Sequence, residues 1–168
     1  MWYVVQVRTG TEESIRIQCE KHMSGEALER CFIPYYEESK RIRGRWTTLE
    51  KVLFPGYVFM VSEKLERLYD QLHGVVGLTK LIGTGREIVP LREEEIAFMQ
   101  GIGGEKQIVE MSEGVIEQSC VRITSGPLVG MEGMIRKIDR HKRKAWLEVP
   151  MFGRVQMVQV GVEIVAKG

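Results

Sequence analysis

The chain opens on WYVVQV at 2–7, a β-branched and aromatic run that reads as a buried strand. Thr11 then offers a helix cap, and Glu12 and Glu13 sit in the first turn, where the helix dipole favours anions. Ile15, Cys19 and Met23 recur every fourth residue, which predicts a helix of about 12 residues. Residues 31–43 (CFIPYYEESKRIR) read as a strand bent at Pro34. Gly44 separates them from 46–53, so the two segments pair as a hairpin. FPGYVFMV at 54–61 is a turn running into a hydrophobic strand. Leu65, Leu68 and Leu72, with Tyr69, mark a second short helix by their spacing. Residues 78–83 and 86–89 read as strands around Gly-Thr-Gly. Pro90, the acids Glu93 to Glu95, and then Ile96 and Met99 predict a third helix ending at Gly101.

Strands and helices interleaved by short connections and hairpins point to an α+β fold with an antiparallel sheet flanked by helices, not a doubly wound parallel one. GGEKQIVEMSEG at 103–114 is rich in Gly and charge with weak periodicity, and reads as linker. From Cys120 onward the chain reads as short strands: VRIT, MIRKI, KAWLEV, RVQMVQV and VEIV. Short strands packed this closely predict a small closed barrel, which removes exposed edges. The expected division is therefore a first domain over 1–102, a linker over 103–118 and a barrel domain over 119–168.

Composition is ordinary for a globular protein, with 43% hydrophobic and 28% charged residues. No apolar run reaches the length of a membrane span, and the first residues carry no basic leader, so a soluble, cytoplasmic monomer is expected. Cys19, Cys31 and Cys120 lack metal-ligand or disulfide spacing and read as buried small hydrophobes. The net charge of +1 conceals an asymmetry. Residues 121–168 hold nine basic and four acidic groups, a balance of +5, whereas the other 120 residues hold 15 basic and 19 acidic, a balance of −4. Such a split marks two modules with different partners, the smaller one facing a polyanion.

No catalytic constellation is legible, and neither enzyme activity, a metal nor a cofactor is expected. His22, His73 and His141 lie in unlike contexts, and no serine sits on a nucleophile elbow. GTGR at 83–86 is a hairpin turn, because no P-loop Lys-Ser/Thr follows it. Three stretches carry candidate binding chemistry. In LFPGYVFM at 53–60, Val58 and Met60 read as core. Phe54, Tyr57 and Phe59 are too many large groups for one face of a strand, so an exposed aromatic surface suited to a protein partner is expected. In SKRIRGRW at 39–46, Lys40, Arg41, Arg43 and Arg45 flank a hairpin tip. It is either a solvated turn or a finger on a nucleic-acid backbone, with Trp46 able to stack on a base. In MIRKIDRHKRKAWLEV at 134–149, Arg136, Lys137, Arg140, His141, Lys142, Arg143 and Lys144 surround one acid at the turn, Asp139. A polar hairpin tip is the plain reading; contact with RNA phosphates is the sharper one.

WYVVQVRTG at 2–10, LFPGYVFM at 53–60 and GREIVPL at 85–91 resemble the N-terminal domain of the NusG family. VRITSGPLVGMEGMIRKID at 121–139 resembles a KOW motif, with Gly126, Pro127, Gly130 and Gly133 at the expected places, and MFGRVQMVQV at 151–160 continues it. The resemblance spans nearly the whole chain with its motifs in order. It implies an α/β N-terminal domain joined to an SH3-like β-barrel KOW domain, and an activity in transcription elongation. It further implies that the first domain binds the β′ clamp helices of RNA polymerase and reaches the β lobe, with Phe54, Pro55, Gly56, Tyr57 and Phe59 forming much of the surface and Tyr3 and Arg8 nearby. A factor that favours the closed clamp shifts polymerase toward processive elongation by as much as its differential affinity for the two states. The arm at 40–45 is expected to lie toward upstream DNA.

Arg8-Thr9-Gly10 and the segment KLERLYDQLHGVVGLTKLIG depart from the housekeeping pattern. EKVLFPGYVF and KIDRHKRKAW are similar to the LoaP branch of specialised, processive antitermination paralogues, which implies recruitment through an RNA hairpin in the leader transcript. Met151, Phe152 and Arg154 fall on the loop with which housekeeping members bind ribosomal protein S10 or Rho, so that role stays open. A ribosome-associated RNA-binding protein is the third reading. Val121, Ile123, Val149, Val155, Val158 and Val160 favour strands, so no helical form of the second domain is expected.

Overall fold

A computed structural model of the 168-residue chain describes residues 1–23, 25–75, 78–81, 83–84, 87–88 and 90–168, with side chains described outside 76–89. The chain forms two compact units. One comprises residues 1–33 and 54–96, the other 34–53 and 97–168. The fold is mixed α+β.

In the first unit the opening run is strand β1 (Trp2–Val7), followed by helix α1 (Glu12–His22), strands β2 (Arg30–Phe32) and β5 (Tyr57–Val61), and helix α2 (Leu65–Leu72). Strand β6 (Leu78–Leu81) completes an antiparallel sheet in the order β2-β5-β1-β6, with Val4 opposite Phe59 and Gln6 opposite Tyr57. Ile15 and Cys19 are the buried side of α1, and Leu68 and Leu72 that of α2, as their spacing requires. Trp2, Phe32, Phe54 and Phe59 form one aromatic cluster with centroid separations of 5.1 to 6.5 Å. Burying a side chain such as Phe59 contributes roughly 1.5–3 kcal/mol relative to leaving it in water. Gly83 and Thr84 of the Gly-Thr-Gly stretch form the short strand β7 (Gly83–Thr84), which pairs antiparallel with β8 (Glu87–Ile88); Gly85, and residues 82, 86 and 89 of the expected strands, lie outside the described residues.

The second unit holds the arm and the strand-rich C-terminal part. Strands β3 (Tyr35–Ile42) and β4 (Arg45–Val52) pair around the two-residue turn Arg43-Gly44, whose φ values of 50° and 78° suit the twist of a hairpin. Strand β9 (Ile108–Val109) pairs parallel with the start of β3, at Tyr35 and Tyr36 only. Strands β10 (Ser112–Glu117), β11 (Cys120–Ser125), β12 (Ile135–Asp139), β13 (Lys144–Met151) and β14 (Arg154–Lys167) form a five-stranded sheet in the order β11-β10-β14-β13-β12. Its core is Ile123, Leu128, Ala145, Leu147, Val149, Met151, Val158, Val160 and Val162. The residues expected to favour strands over helix, Val121 to Val160, lie in β11, β13 and β14.

Several elements differ from the sequence expectation. Helix α3 (Glu93–Gly103) runs two residues past Gly101. The stretch expected as linker contains β9 and β10, because β10 draws its hydrogen bonds from β11 and from β14 some fifty positions away. Gly114 belongs there: a Cβ would stand 2.9 Å from the Arg122 carbonyl. RVQMVQV and VEIV are one continuous strand through Gly161. Two parallel pairings, β3–β9 and β10–β14, accompany the antiparallel ones. Cys120 is exposed, unlike buried Cys19 and Cys31. No helix among the described residues is long and apolar enough to cross a membrane.

Candidate protein and nucleic-acid interfaces

The first candidate surface is built on a turn. Phe54-Pro55-Gly56-Tyr57 closes with the Tyr57 amide donating to the Phe54 carbonyl at 3.2 Å, and Gly56 has φ +88°. Proline at the second position and a left-handed glycine at the third are what such a turn demands. The Glu12 carboxylate, 4% exposed, accepts the Gly10 amide at 2.7 and 3.1 Å and the Gly56 amide at 3.4 Å. One buried acid therefore ties the β1–α1 loop to the turn before β5. Sequence reading placed Glu12 only in the dipole of α1; its second partner lies 44 residues away, so no local signal could reveal it.

The aromatic expectation for this turn is corrected by burial. Phe54, Tyr57 and Phe59 are 2%, 7% and 0% exposed, and Tyr3 and Gly56 are buried too. Both faces of β5 are covered, so alternation leaves no aromatic side chain over. Arg8 and Pro55 are the members of the predicted set that stand in solvent. Burial, with the charge of Glu63, also raises the Tyr3 phenol above its ordinary range.

The second surface centres on the β12–β13 turn. Asp139 caps it by accepting the Lys142 amide at 3.0 Å, which, with the charge of Lys142 and its neighbours, holds its carboxyl below the usual range. Arg140, His141 and Lys142 project into solvent. The remaining predicted cations are engaged. Arg136 pairs with Glu148 and donates to the Gly133 carbonyl, and Lys137 lies 4.9 Å from the Trp146 ring. Arg143, at φ 52°, places its guanidinium 3.7 Å from the centroid of Trp46 and 3.5 Å from Glu163. Lys144 pairs with Glu38 at 2.7 Å, with side chains only 13% and 12% exposed.

These contacts seat the β3–β4 arm against the five-stranded sheet. Beyond Tyr36 the edge of β3 away from β4 has no strand partner among the described residues. There the Glu37 side chain accepts the Met111 amide at 2.9 Å, and the Glu37 carbonyl occupies the space that a Cβ on Gly161 would need. At the arm's end Lys40, Arg41, Arg43 and Arg45 are all exposed. Arg41 is directly opposite Trp46 and shares its face; Lys40 and Arg45 point to the other. At the far end of β13, Phe152-Gly153 forms a two-residue turn, with Met151 buried, Phe152 half-buried and Arg154 exposed. Val155 and Met157 beside it are 60% and 56% exposed.

The α+β unit thus presents a turn pinned by a buried acid, and the strand-rich unit presents two basic turns. The family profile described as transcription termination factor nusG matches residues 1–100. A transcription termination/antitermination protein NusG of Staphylococcus aureus is 30% identical over 174 residues, covering 99% of this chain and 94% of its own length. The one from Thermus thermophilus is 28% identical over 180 residues, covering 99% and 97%. A solved structure on domain interaction in Thermotoga maritima NusG superposes with a TM-score of 0.59 over 95% of this chain and 92% of that one, at 24% identity, a likeness of fold. The chain belongs to the NusG family of transcription termination and antitermination factors.

Proposed function

We propose that the chain is a processive antitermination factor, a specialised member of its family similar to the LoaP branch, that binds RNA polymerase with its first unit and an RNA hairpin with the β12–β13 turn. The polymerase part rests on family membership across residues 1–100 and on the turn that Glu12 holds in place, with Arg8 and Pro55 as its exposed members. The observation that carries the RNA part is the charge placement. Arg140, His141 and Lys142 are exposed at a turn within residues 121–168, a stretch that carries +5 while the rest of the chain carries −4. The partners in this reading are the β′ clamp helices and β lobe for the first unit, by the family resemblance, and leader RNA for the second.

A second reading is favoured by a different patch. Phe152, Arg154, Val155 and Met157 gather apolar surface and one cation beside the Phe152-Gly153 turn, a surface suited to a protein such as ribosomal protein S10 or Rho. That is the housekeeping role.

The test uses the full chain in polymerase elongation complexes reading through a terminator, with and without an RNA hairpin upstream. Hairpin-dependent read-through supports the specialised reading, and Arg8→Glu with Pro55→Ser should weaken polymerase binding. Read-through indifferent to any RNA hairpin removes the RNA part, and failure to bind polymerase removes both readings.

A further inference from the structure

The two basic turns are a hundred residues apart in sequence, yet the second unit brings them together. Arg143 from the β12–β13 turn lies on Trp46 of the arm, and Lys144 beside it is paired with Glu38. Between arm and sheet is a cleft of about 410 Å³ lined by Ser39, Trp46, Thr48, Ser125, Arg143 and Glu163, among others. Ser39 and Thr48 are directly opposite one another, as are Arg41 and Trp46, so one face of the arm presents two hydroxyls, an indole and an arginine toward this side. The cleft is thus aromatic and polar within, and exposed cations stand on the two turns that supply its lining: Arg41, directly opposite Trp46, and Arg43 on the arm, and Arg140 and Lys142 on the turn that ends in Arg143.

We propose that the arm and the β12–β13 turn form one RNA site, in which the two basic turns hold phosphates and the cleft receives an unpaired base of the same RNA. The proposal rests on the RNA-binding part of the reading above and extends it, because the arm joins the RNA surface instead of lying toward upstream DNA. Unpaired RNA bases are recognised by stacking on aromatic or guanidinium planes and by hydrogen bonds to their edges. Trp46 and Arg143 supply such planes, and Trp46 remains 42% exposed with Arg143 in place. Ser39, Thr48, Ser125 and Glu163 supply the edge contacts. The Glu163 carboxylate repels phosphate but accepts N–H groups, so the cleft suits the base and the rims suit the backbone. A fully paired stem reaches the cations and leaves the cleft empty.

The experiment titrates the full-length protein into three synthetic probes over a salt series: an RNA stem–loop with one unpaired base in its stem, the same stem–loop fully paired, and its DNA counterpart. The bulged RNA should bind tightest. Arg41→Ala with Arg43→Ala, and Arg140→Ala with Lys142→Ala, should each reduce the slope of log K against log salt by about two. Trp46→Ala should weaken the bulged RNA roughly tenfold and the paired stem by clearly less, with Trp46→Phe retaining most of the preference. Because Trp46→Ala also loosens the arm, a thiouridine at the unpaired position of the bulged RNA should photocrosslink to residues 39–48 of the unaltered protein. If the Arg140/Lys142 variant loses affinity while the arm variant does not, and no crosslink reaches the arm, the shared site is wrong and RNA binding by the sheet stands. If no probe binds with a salt slope, both fall. Equal affinity for the DNA counterpart overturns the assignment to RNA.

Discussion

The guanidinium of Arg143 lies 3.7 Å from the ring centroid of Trp46, so the arm and the β12–β13 turn touch through a cation–π contact. Contacts of this kind contribute about 0.5–1 kcal/mol at exposed sites and more as water is excluded. Trp46→Ala and Arg143→Ala should each lower the unfolding free energy by about that amount. The double variant should lose little more than either single one. Additive losses in a urea-unfolding cycle would show the two side chains to be energetically independent.

Lys144 and Glu38 form the most enclosed ion pair among the described residues, at 2.7 Å with side chains 13% and 12% exposed. Removing one charge strands the other, so Glu38→Gln should cost roughly 1–3 kcal/mol in thermal or chemical unfolding. Replacing the pair together by Leu and Met should recover most of that loss, since apolar substitutes of similar size carry no desolvation cost.

Gly161 lets β14 approach the open edge of β3, with the Glu37 carbonyl and the Met111 sulfur in the space a side chain would take. Gly161→Ala should push the arm away from the sheet. The expected signs are a lower unfolding midpoint and faster amide exchange at residues 37–41, with β13 unaffected. Unchanged exchange in the arm would contradict this packing.

The Glu12 carboxylate satisfies the amides of Gly10 and Gly56 in a buried setting. Glu12→Ala leaves those donors unpaired and should destabilise the first unit by roughly 1–3 kcal/mol. Polymerase binding should fall beyond what the stability loss explains, because the Pro55 turn loses its anchor. Binding at wild-type strength under conditions where the variant is folded would remove Glu12 from that role.

Tyr36 is buried, and its phenol is raised from 10.0 to about 12, first by burial and then by the negative charge of Glu38. The folded state thus favours the neutral phenol. This contribution is complete below pH 10 and is lost as pH rises through about 12, at about 1.4 kcal/mol per pH unit within that window. Unfolding measured across the window should show the decline, and Tyr36→Phe should flatten it.

Much of the local structure was legible because its causes are local. Turn chemistry located the Arg43-Gly44 hairpin and the Pro55-Gly56 turn, and spacing marked the inner faces of α1 and α2. The inferences that failed depended on a distant neighbour. β10 looked like linker because its own residues have weak strand preference, and β11 and β14 supply its order. The aromatics of β5 looked exposed because a strand pattern does not show how many of its faces the rest of the protein covers.

The sequence by itself determined the family, most of the elements and the two basic turns, since residue type and spacing carry backbone preference and charge. Only the tertiary structure decided which cations are available. In a run of identical chemistry, Arg140 and Lys142 reach solvent while Arg143 and Lys144 are drawn to Trp46 and Glu38. Availability depends on what a side chain meets across space, and a one-dimensional pattern of charge does not contain those partners.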